Sequence, residues 1–228
     1  MSKYVLTFSK SGLIRFTSHL DMLRLFKRGF RRAGIELKYS QGFNPHPRMG
    51  FAQPLSLGYL AEAELLEFET TREYTKDEII SSMKPTLAQG IAIHGVGIAE
   101  GKKSLAALVD SATYTVTFPV SVFRKDFRQV TADYLAQKEI IVLKHSKKSG
   151  ETKPMNIREK VRSLDAEAGG NHQLVLKMLL DQGSHSNLNP EPVIRTFLEF
   201  AQLDVPRCEI LVCRNGLHFG VDDPVRWM

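Results

Sequence analysis

The chain of 228 residues is poor in the features that announce common chemistries. It has two cysteines and one tryptophan. No apolar run approaches the ~18–20 residues that a membrane-crossing helix needs. It contains no Cys-x-x-Cys pair, no His-Glu-x-x-His and no Walker-type glycine loop, which excludes the commonest zinc and nucleoside triphosphate sites. No Gly-x-Ser-x-Gly elbow is present either. Cys208 and Cys213 stand an odd number of residues apart on a predicted strand, which puts them on opposite faces and argues against a disulfide or a shared metal. The expectation is a reduced, cytoplasmic, ordered protein. Its N-terminus enters directly into the strand-like Tyr4-Val5-Leu6-Thr7-Phe8 with no secretory h-region.

Acidic residues are also scarce in one place. Between Arg15 and Arg48 stand Arg15, Arg24, Lys27, Arg28, Arg31, Arg32, Lys38 and Arg48, opposed only by Asp21 and Glu36, so the stretch carries a surplus equal to the +6 of the whole chain. The basicity is local, as a polyanion-binding surface requires. Ser18-His19-Leu20-Asp21 reads as a capping box and Gly34 as the residue that closes the helix. At 100° per residue, Met22, Leu23, Leu25, Phe26, Gly29, Phe30 and Ala33 form one arc. Arg24, Lys27, Arg28, Arg31 and Arg32 form the other, where only Leu20 intrudes. Like charges at i,i+4 repel by a few tenths of a kcal/mol per pair. A merely solvated face mixes in glutamates; this one does not.

The loop Gly42-Phe43-Asn44-Pro45-His46-Pro47-Arg48-Met49-Gly50-Phe51 is the most specific local signal. Its prolines restrict the backbone around His46, and Phe43 and Phe51 either offer faces for stacking a base or anchor the loop. His19, at a helix N-terminus, and His46 are the pair suited to acid–base cleavage of a phosphodiester, and the sequence alone does not show whether they meet. The other histidines lack metal-ligand spacing. Lys144, Lys147, Lys148 and Lys153 make a second basic cluster at a predicted hairpin, read as a solvated loop.

Periodicity predicts strands near residues 4–9, 37–40, 65–71 and 91–99 with helices at 18–33 and 76–88, the β-α-β-β-α-β order of a ferredoxin-like split βαβ unit. A connector at 101–111 precedes a recurrence of that order. Strands are predicted at 114–119, 140–145, within 158–165, at 174–180 and at 208–214. Helices are predicted at 123–137 and at 190–202, the latter with Asn189 as N-cap and Pro190 at its first position. The expected fold class is α+β with two tandem ferredoxin-like (βαββαβ) units, residues 1–100 and 112–220, and a loosely packed tail at 222–228 with Trp227 as its candidate anchor.

Arg15-Phe16-Thr17-Ser18-His19-Leu20-Asp21, Leu25-Phe26-Lys27-Arg28, Arg31-Arg32-Ala33-Gly34, Tyr39 through Arg48, Phe51-Ala52 and Pro54-Leu55-x-Leu57-Gly58 together resemble the opening of a bacterial family of unknown function, the radical SAM-linked (radical SAM-associated) proteins. The match is dense over residues 15–58; beyond them it rests on length and element order. The resemblance implies an accessory to RNA- or ribosome-directed radical chemistry. Members of that family occur fused to or encoded beside a radical SAM protein with a cobalamin-binding-like region, so the resemblance implies for this chain a separate partner that carries the iron–sulfur cluster, S-adenosylmethionine and cobalamin. This chain holds no cofactor of its own, since two cysteines are fewer than the three such a cluster needs. A remoter likeness connects the tandem layout with RAMP-type RNA-binding proteins and keeps a nuclease reading open.

The expected function is therefore RNA binding without catalysis by this chain. The contacts are assigned to Arg15, Arg24, Lys27, Arg28, Arg31, Arg32, Phe43, Asn44, His46 and Arg48, and no metal site or membrane is involved. The alternatives are a metal-independent endoribonuclease using His19 and His46, a protein–protein adaptor without RNA affinity, and a binder of a small phosphorylated or carboxylated ligand in the loop.

Overall fold

The computed structural model describes residues 3–120, 126–145 and 150–228. In chain order the elements are β1 (Lys3–Lys10), α1 (His19–Arg32), β2 (Met49–Phe51), β3 (Leu60–Glu69), α2 (Lys76–Met83), β4 (Ile91–Ala99) and α3 (Leu105–Leu108). There follow β5 (Val109–Pro119), α4 (Phe127–Ala136), β6 (Ile141–His145), β7 (Thr152–Asn156), β8 (Val161–Ala168), β9 (Gln173–Asp181), α5 (Pro190–Ala201), β10 (Leu211–Phe219) and β11 (Val225–Trp227). The fold is α+β. The chain divides into two compact units, Met1–Asp110 with Arg214–Met228, and Ser111–Cys213. The second unit thus closes at Cys213, not at residue 220, because the chain from Arg214 onward belongs with the first.

In the first unit β1 pairs antiparallel with both β3 and β4, β2 adds to β3, and β11 adds to β4. Alternation along β1 sends Tyr4, Leu6 and Phe8 to the helix side, where they meet Met22, Phe26 and Phe30 of α1 and Leu66 and Phe68 of β3. The aromatic rings form a chain, Phe8 to Phe26 at 4.8 Å and Phe30 to Phe68 at 4.6 Å, distances at which tilted rings attract beyond their area burial. Ser18 caps α1 by accepting the Asp21 N–H, and its hydroxyl donates back to the Asp21 carboxylate. At the other end Gly34 takes φ +69°, and the Ile35 N–H reaches the Phe30 carbonyl, the six-to-one bond of a Schellman stop.

Several boundaries differ from the sequence reading, each for a local reason. The strand predicted at 37–40 is reduced to isolated bridges, Leu37 to Thr70 and Tyr39 to Pro47; the strand beside β3 is β2, because a ladder forms only beyond the donor-less Pro45 and Pro47. Helix α2 stops at Met83, and Pro85 turns the chain into a 3₁₀ segment, Lys84–Thr86, instead of continuing to 88. β3 starts at Leu60, within what read as loop and five residues before the predicted start. The connector holds α3 and the start of β5. The tail is ordered as β11, with the Trp227 indole N–H donating to Asp223. Cys208 lies in a 3₁₀ turn and Cys213 on β10, and neither is in a disulfide among the described residues.

In the second unit β9 pairs with β5 and β8, while β6 and β7 form a separate hairpin. Helices α4 and α5 pack through Tyr134, whose ring stands edge-on to Phe197 and whose hydroxyl bonds Thr196 at 2.7 Å. The basic cluster predicted here is described at Lys144 and Lys153, which face each other across the hairpin. Lys147, Lys148 and residues 123–125 of the predicted helix lie outside the described residues.

Gly90 sits where β4 begins. It has φ +91°, and a Cβ there would lie 2.4 Å from the Ser11 carbonyl oxygen, the group next to the Ser11 N–H that bonds Gly90. Gly90→Ala is expected to cost ~1–3 kcal/mol, read as a lower urea midpoint with an unchanged slope.

Candidate nucleic-acid interface

Helix α1 packs by its apolar arc and turns its cations outward. Arg24, Lys27, Arg28, Arg31 and Arg32 are all exposed. Arg24 pairs with Asp21 at 2.8 Å, and Arg32 donates to the Thr86 carbonyl at 2.5 Å. Among the described residues, Lys27, Arg28 and Arg31 have no carboxylate within ion-pair distance. Asp21 is held below the usual carboxylate range by the Ser18 hydroxyl first and by Arg24 second. Arg24, Arg28 and Arg32 recur at i, i+4 and i+8, ~6 Å apart along the axis. With Thr17, Asp21 and Leu25 they wall one side of an open groove of about 630 Å³; Pro85, Thr86, Leu87 and Ala88 wall the other. Gly29 lets the two sides approach, since its Cα faces Thr86 and Met83 with no room for more than a Cβ at 3.2 Å. The groove is open and carries three arginines on its α1 side, which suits phosphates.

The loop after α1 is closed by Ser40. Its N–H donates to the His46 carbonyl, and its Oγ accepts the His46 N–H. Gly42 takes φ +124° inside this closure. Phe43 at the tip is fully exposed, and Asn44 and His46 are exposed. Arg48 is placed otherwise: its guanidinium bonds Glu69, which also pairs with Lys38 at 3.3 Å. Its charge therefore serves an internal cluster. Arg15 lies over the Phe16 ring at 4.8 Å. His19 packs edge-on against Phe51 at 5.4 Å. Among the described residues no hydrogen bond or ring contact joins His19 to His46, so the structure does not assemble the acid–base pair.

The sequence reading missed a recess beside the N-terminus of α1. Phe8, Met22, Phe51 and Leu55 make its apolar walls with His19; Lys10, Gln53 and Glu64 supply polar groups. Lys10 and Glu64 are both 3 % exposed, and Arg214 is 1 % exposed. Arg214 grips Glu64 with Nε to Oε1 at 2.7 Å and a second parallel bond, and two further N–H groups donate to the carbonyls of Gln53 and Pro54. Lys10 Nζ donates to the Thr17 carbonyl at 3.0 Å. Thr17 also lines the groove, so recess and groove adjoin.

Burial lowers the Lys10 pKa, Glu64 partly restores it, and the Arg214 charge lowers it further. Burial likewise lowers that of His19. A signal for Lys10 was present: alternation puts it on the same face of β1 as Tyr4, Leu6 and Phe8. Arg214, remote in sequence, gave none.

Residues 3–190 match the family described as "Uncharacterized protein conserved in bacteria (DUF2344)", and the chain belongs to that family. No curated protein matches it in sequence. Among solved structures, a chain from the crystal structure of a Cbf5–Nop10–Gar1 complex is similar in fold, with a TM-score of 0.52 and 9 % identity over 94 % of this chain. The match covers 48 % of that chain, so this protein spans about half its length. Among the described residues no helix is long and apolar enough to cross a membrane.

Removing one partner of a buried, hydrogen-bonded ion pair strands the other charge. Arg214→Met is therefore expected to lose ~3–5 kcal/mol of stability, measured by chemical denaturation. The lowered His19 value has its own consequence. Its contribution to stability is present above pH ~6.5 and is lost as pH falls through the lower folded-state value. The His19 imidazole resonances should titrate with a midpoint below ~6.5, and a midpoint at or above it would contradict a desolvated ring.

Proposed function

We propose that this member of the family binds single-stranded RNA along the cationic flank of α1 and presents it to a separately encoded radical SAM protein, which carries the iron–sulfur cluster, S-adenosylmethionine and cobalamin. One observation carries the reading: Arg24, Arg28 and Arg32 stand in a row along an open groove, next to Lys27 and Arg31, and among the described residues Asp21 is the one carboxylate paired with any of them. Arginine forks suit bidentate phosphate contacts. The rise between successive arginines is comparable with the spacing of phosphates along a strand. Phosphates supply the affinity, and exposed Phe43, Asn44 and His46 stand ready to touch a base.

The choice of RNA and of the partner rests on the resemblance over residues 15–58. Reading each unit as ferredoxin-like adds to it, and the neighbour order β4-β1-β3-β2 supports that reading for the first. Such sheets commonly hold single strands, which is an analogy of fold.

A second reading, the protein–protein adaptor, is favoured by a different observation. Leu13, Phe16, Leu20 and Leu57 are 85 %, 57 %, 62 % and 62 % exposed. The Gly58 N–H bonds the Arg15 carbonyl, which brings the chain at Leu57 beside that at Phe16, and exposed apolar side chains that gather into a patch mark interaction sites.

Binding of a labelled single-stranded RNA as a function of salt tests the first reading. Each phosphate contact contributes ~0.7 to the log–log slope for a single strand. Arg28→Ala with Arg32→Ala should flatten the slope by about 1.4. A wild-type slope in the double variant removes the groove from the interface, and nuclease-resistant association with the partner chain alone favours the adaptor.

A further inference from the structure

We infer that the outer edge of β6, in the second unit, takes up an extended acidic segment of a partner protein as an added antiparallel strand. The inference is independent of the reading of α1.

The direction in which the main chain of β6 faces follows from its pairing. Directly opposed residues of an antiparallel pair alternate between those that exchange main-chain bonds and those that do not. The Ile157 N–H donates to the Ile140 carbonyl at 2.8 Å, and the register that sets Ile141 opposite Asn156 makes these two a bonded pair. Val142 with Met155 and Lys144 with Lys153 are then bonded pairs as well, while Ile141 with Asn156 and Leu143 with Pro154 are not. Pro154 has no N–H to give and stands where none is asked for. The N–H and C=O groups of Ile141 and Leu143 therefore point away from β7, and among the described residues no strand pairs with them. Both residues are exposed, at 49 % and 69 %. The two edges of the hairpin differ. The outer edge of β7 is interrupted by Pro154, a common guard against strand addition, whereas the edge of β6 keeps both its donors. A hairpin of two strands also gains stability from a third.

A groove of about 670 Å³ runs beside this edge. Val142, Leu143 and Lys144 are consecutive and all line it; since side chains alternate between faces, a surface touching all of them lies along the edge of the strand. Ile194, Leu198 and Ile210 supply apolar lining. Charge then selects the occupant. Lys144 and Arg195 line the groove and are exposed, and among the described residues neither has a carboxylate within ion-pair distance. Glu191, the carboxylate among the lining residues, is held by both ends of the Arg207 fork at 2.8 and 2.6 Å. A second copy of this chain would bring the same cations to the seam, and like charges across strands repel. A nucleic acid would answer the cations but has no ladder of N–H and C=O groups to pair with Ile141 and Leu143. The occupant is therefore an extended peptide, apolar on the side of Ile141 and Leu143. On the groove side it carries an apolar residue flanked by acids that reach Lys144 and Arg195.

The test is amide hydrogen exchange followed by NMR on the full chain. The probe is the capped heptapeptide Thr-Glu-Val-Leu-Val-Glu-Thr, and the control is its lysine counterpart Thr-Lys-Val-Leu-Val-Lys-Thr. Without peptide, the amides of Ile141 and Leu143 should exchange faster than those of Val142 and Lys144. The acidic peptide should slow the first two and bind roughly tenfold more tightly than the lysine peptide. Leu143→Pro removes an outward N–H without costing β7 a bond, so it should abolish binding of the acidic peptide while the Val142 amide stays protected. Lys144→Glu with Arg195→Glu carries the test if that variant does not fold, since the preference between the two peptides should then reverse. Equal affinity for the two peptides overturns the proposal, and so does slow exchange of the Ile141 and Leu143 amides in the free chain. Protection of these amides by self-association assigns the edge to a second copy and overturns the acidic partner; protection by oligouridylate without peptide assigns it to nucleic acid, with the same consequence.

Discussion

A buried arginine decides what the first unit can present. Arg214 is almost wholly inside, and an unpaired charge there would cost several kcal/mol. Each of its three nitrogens therefore has a partner, among both Glu64 oxygens and the carbonyls of Gln53 and Pro54. The bonds to Glu64 attach a late segment of the chain to β3, and the bonds to the carbonyls set the course of the loop that follows β2. The depth of the recess, the orientation of its carboxylate and the place of Gln53 all follow from this one satisfied charge. Lys10 is held nearby by the Thr17 carbonyl and not by a carboxylate of its own, which is why desolvation prevails in setting its proton affinity.

The cationic flank depends on the same unit in another way. Five like charges on one helix are unfavourable in isolation. They persist because the opposite arc is sealed into an aromatic core through Phe26 and Phe30, and because both helix ends are satisfied, by Ser18 and by the turn at Gly34. The repulsion is a small term against that burial, since each fully buried aromatic contributes on the order of 2–3 kcal/mol. Arg28 is then left facing the groove without an ion pair, between Arg24, which pairs with Asp21, and Arg32, which donates to the Thr86 carbonyl. Arg48 shows the contrary case: within the same basic stretch, proximity to Glu69 and Lys38 draws its guanidinium into a local cluster.

Much of this architecture was legible from the residues. Helix α1, its caps and its two arcs were readable because 3.6-residue periodicity and capping chemistry are local properties. The same holds for α5, announced by Asn189 and Pro190. Strand edges were less legible where proline or glycine intervened. Pro45 and Pro47 delayed the strand after α1 to Met49, Pro85 shortened α2, and β10 continues through Gly216 to Phe219. The acid–base pair suggested by His19 and His46 is not assembled, since one ring lies against Phe51 and the other stands on an exposed loop.

What the amino-acid order determined by itself is the cationic helix, its stops and its amphipathic arcs, because those rest on interactions within about four residues. What only the tertiary structure decided is which charges stay available and which are used internally. Glu64 and Arg214 are far apart in sequence, and nothing local marks either as buried. Desolvation and the strict pairing it imposes act across that distance, and they convert an ordinary lysine and glutamate, the latter held by Arg214, into polar lining of a recess.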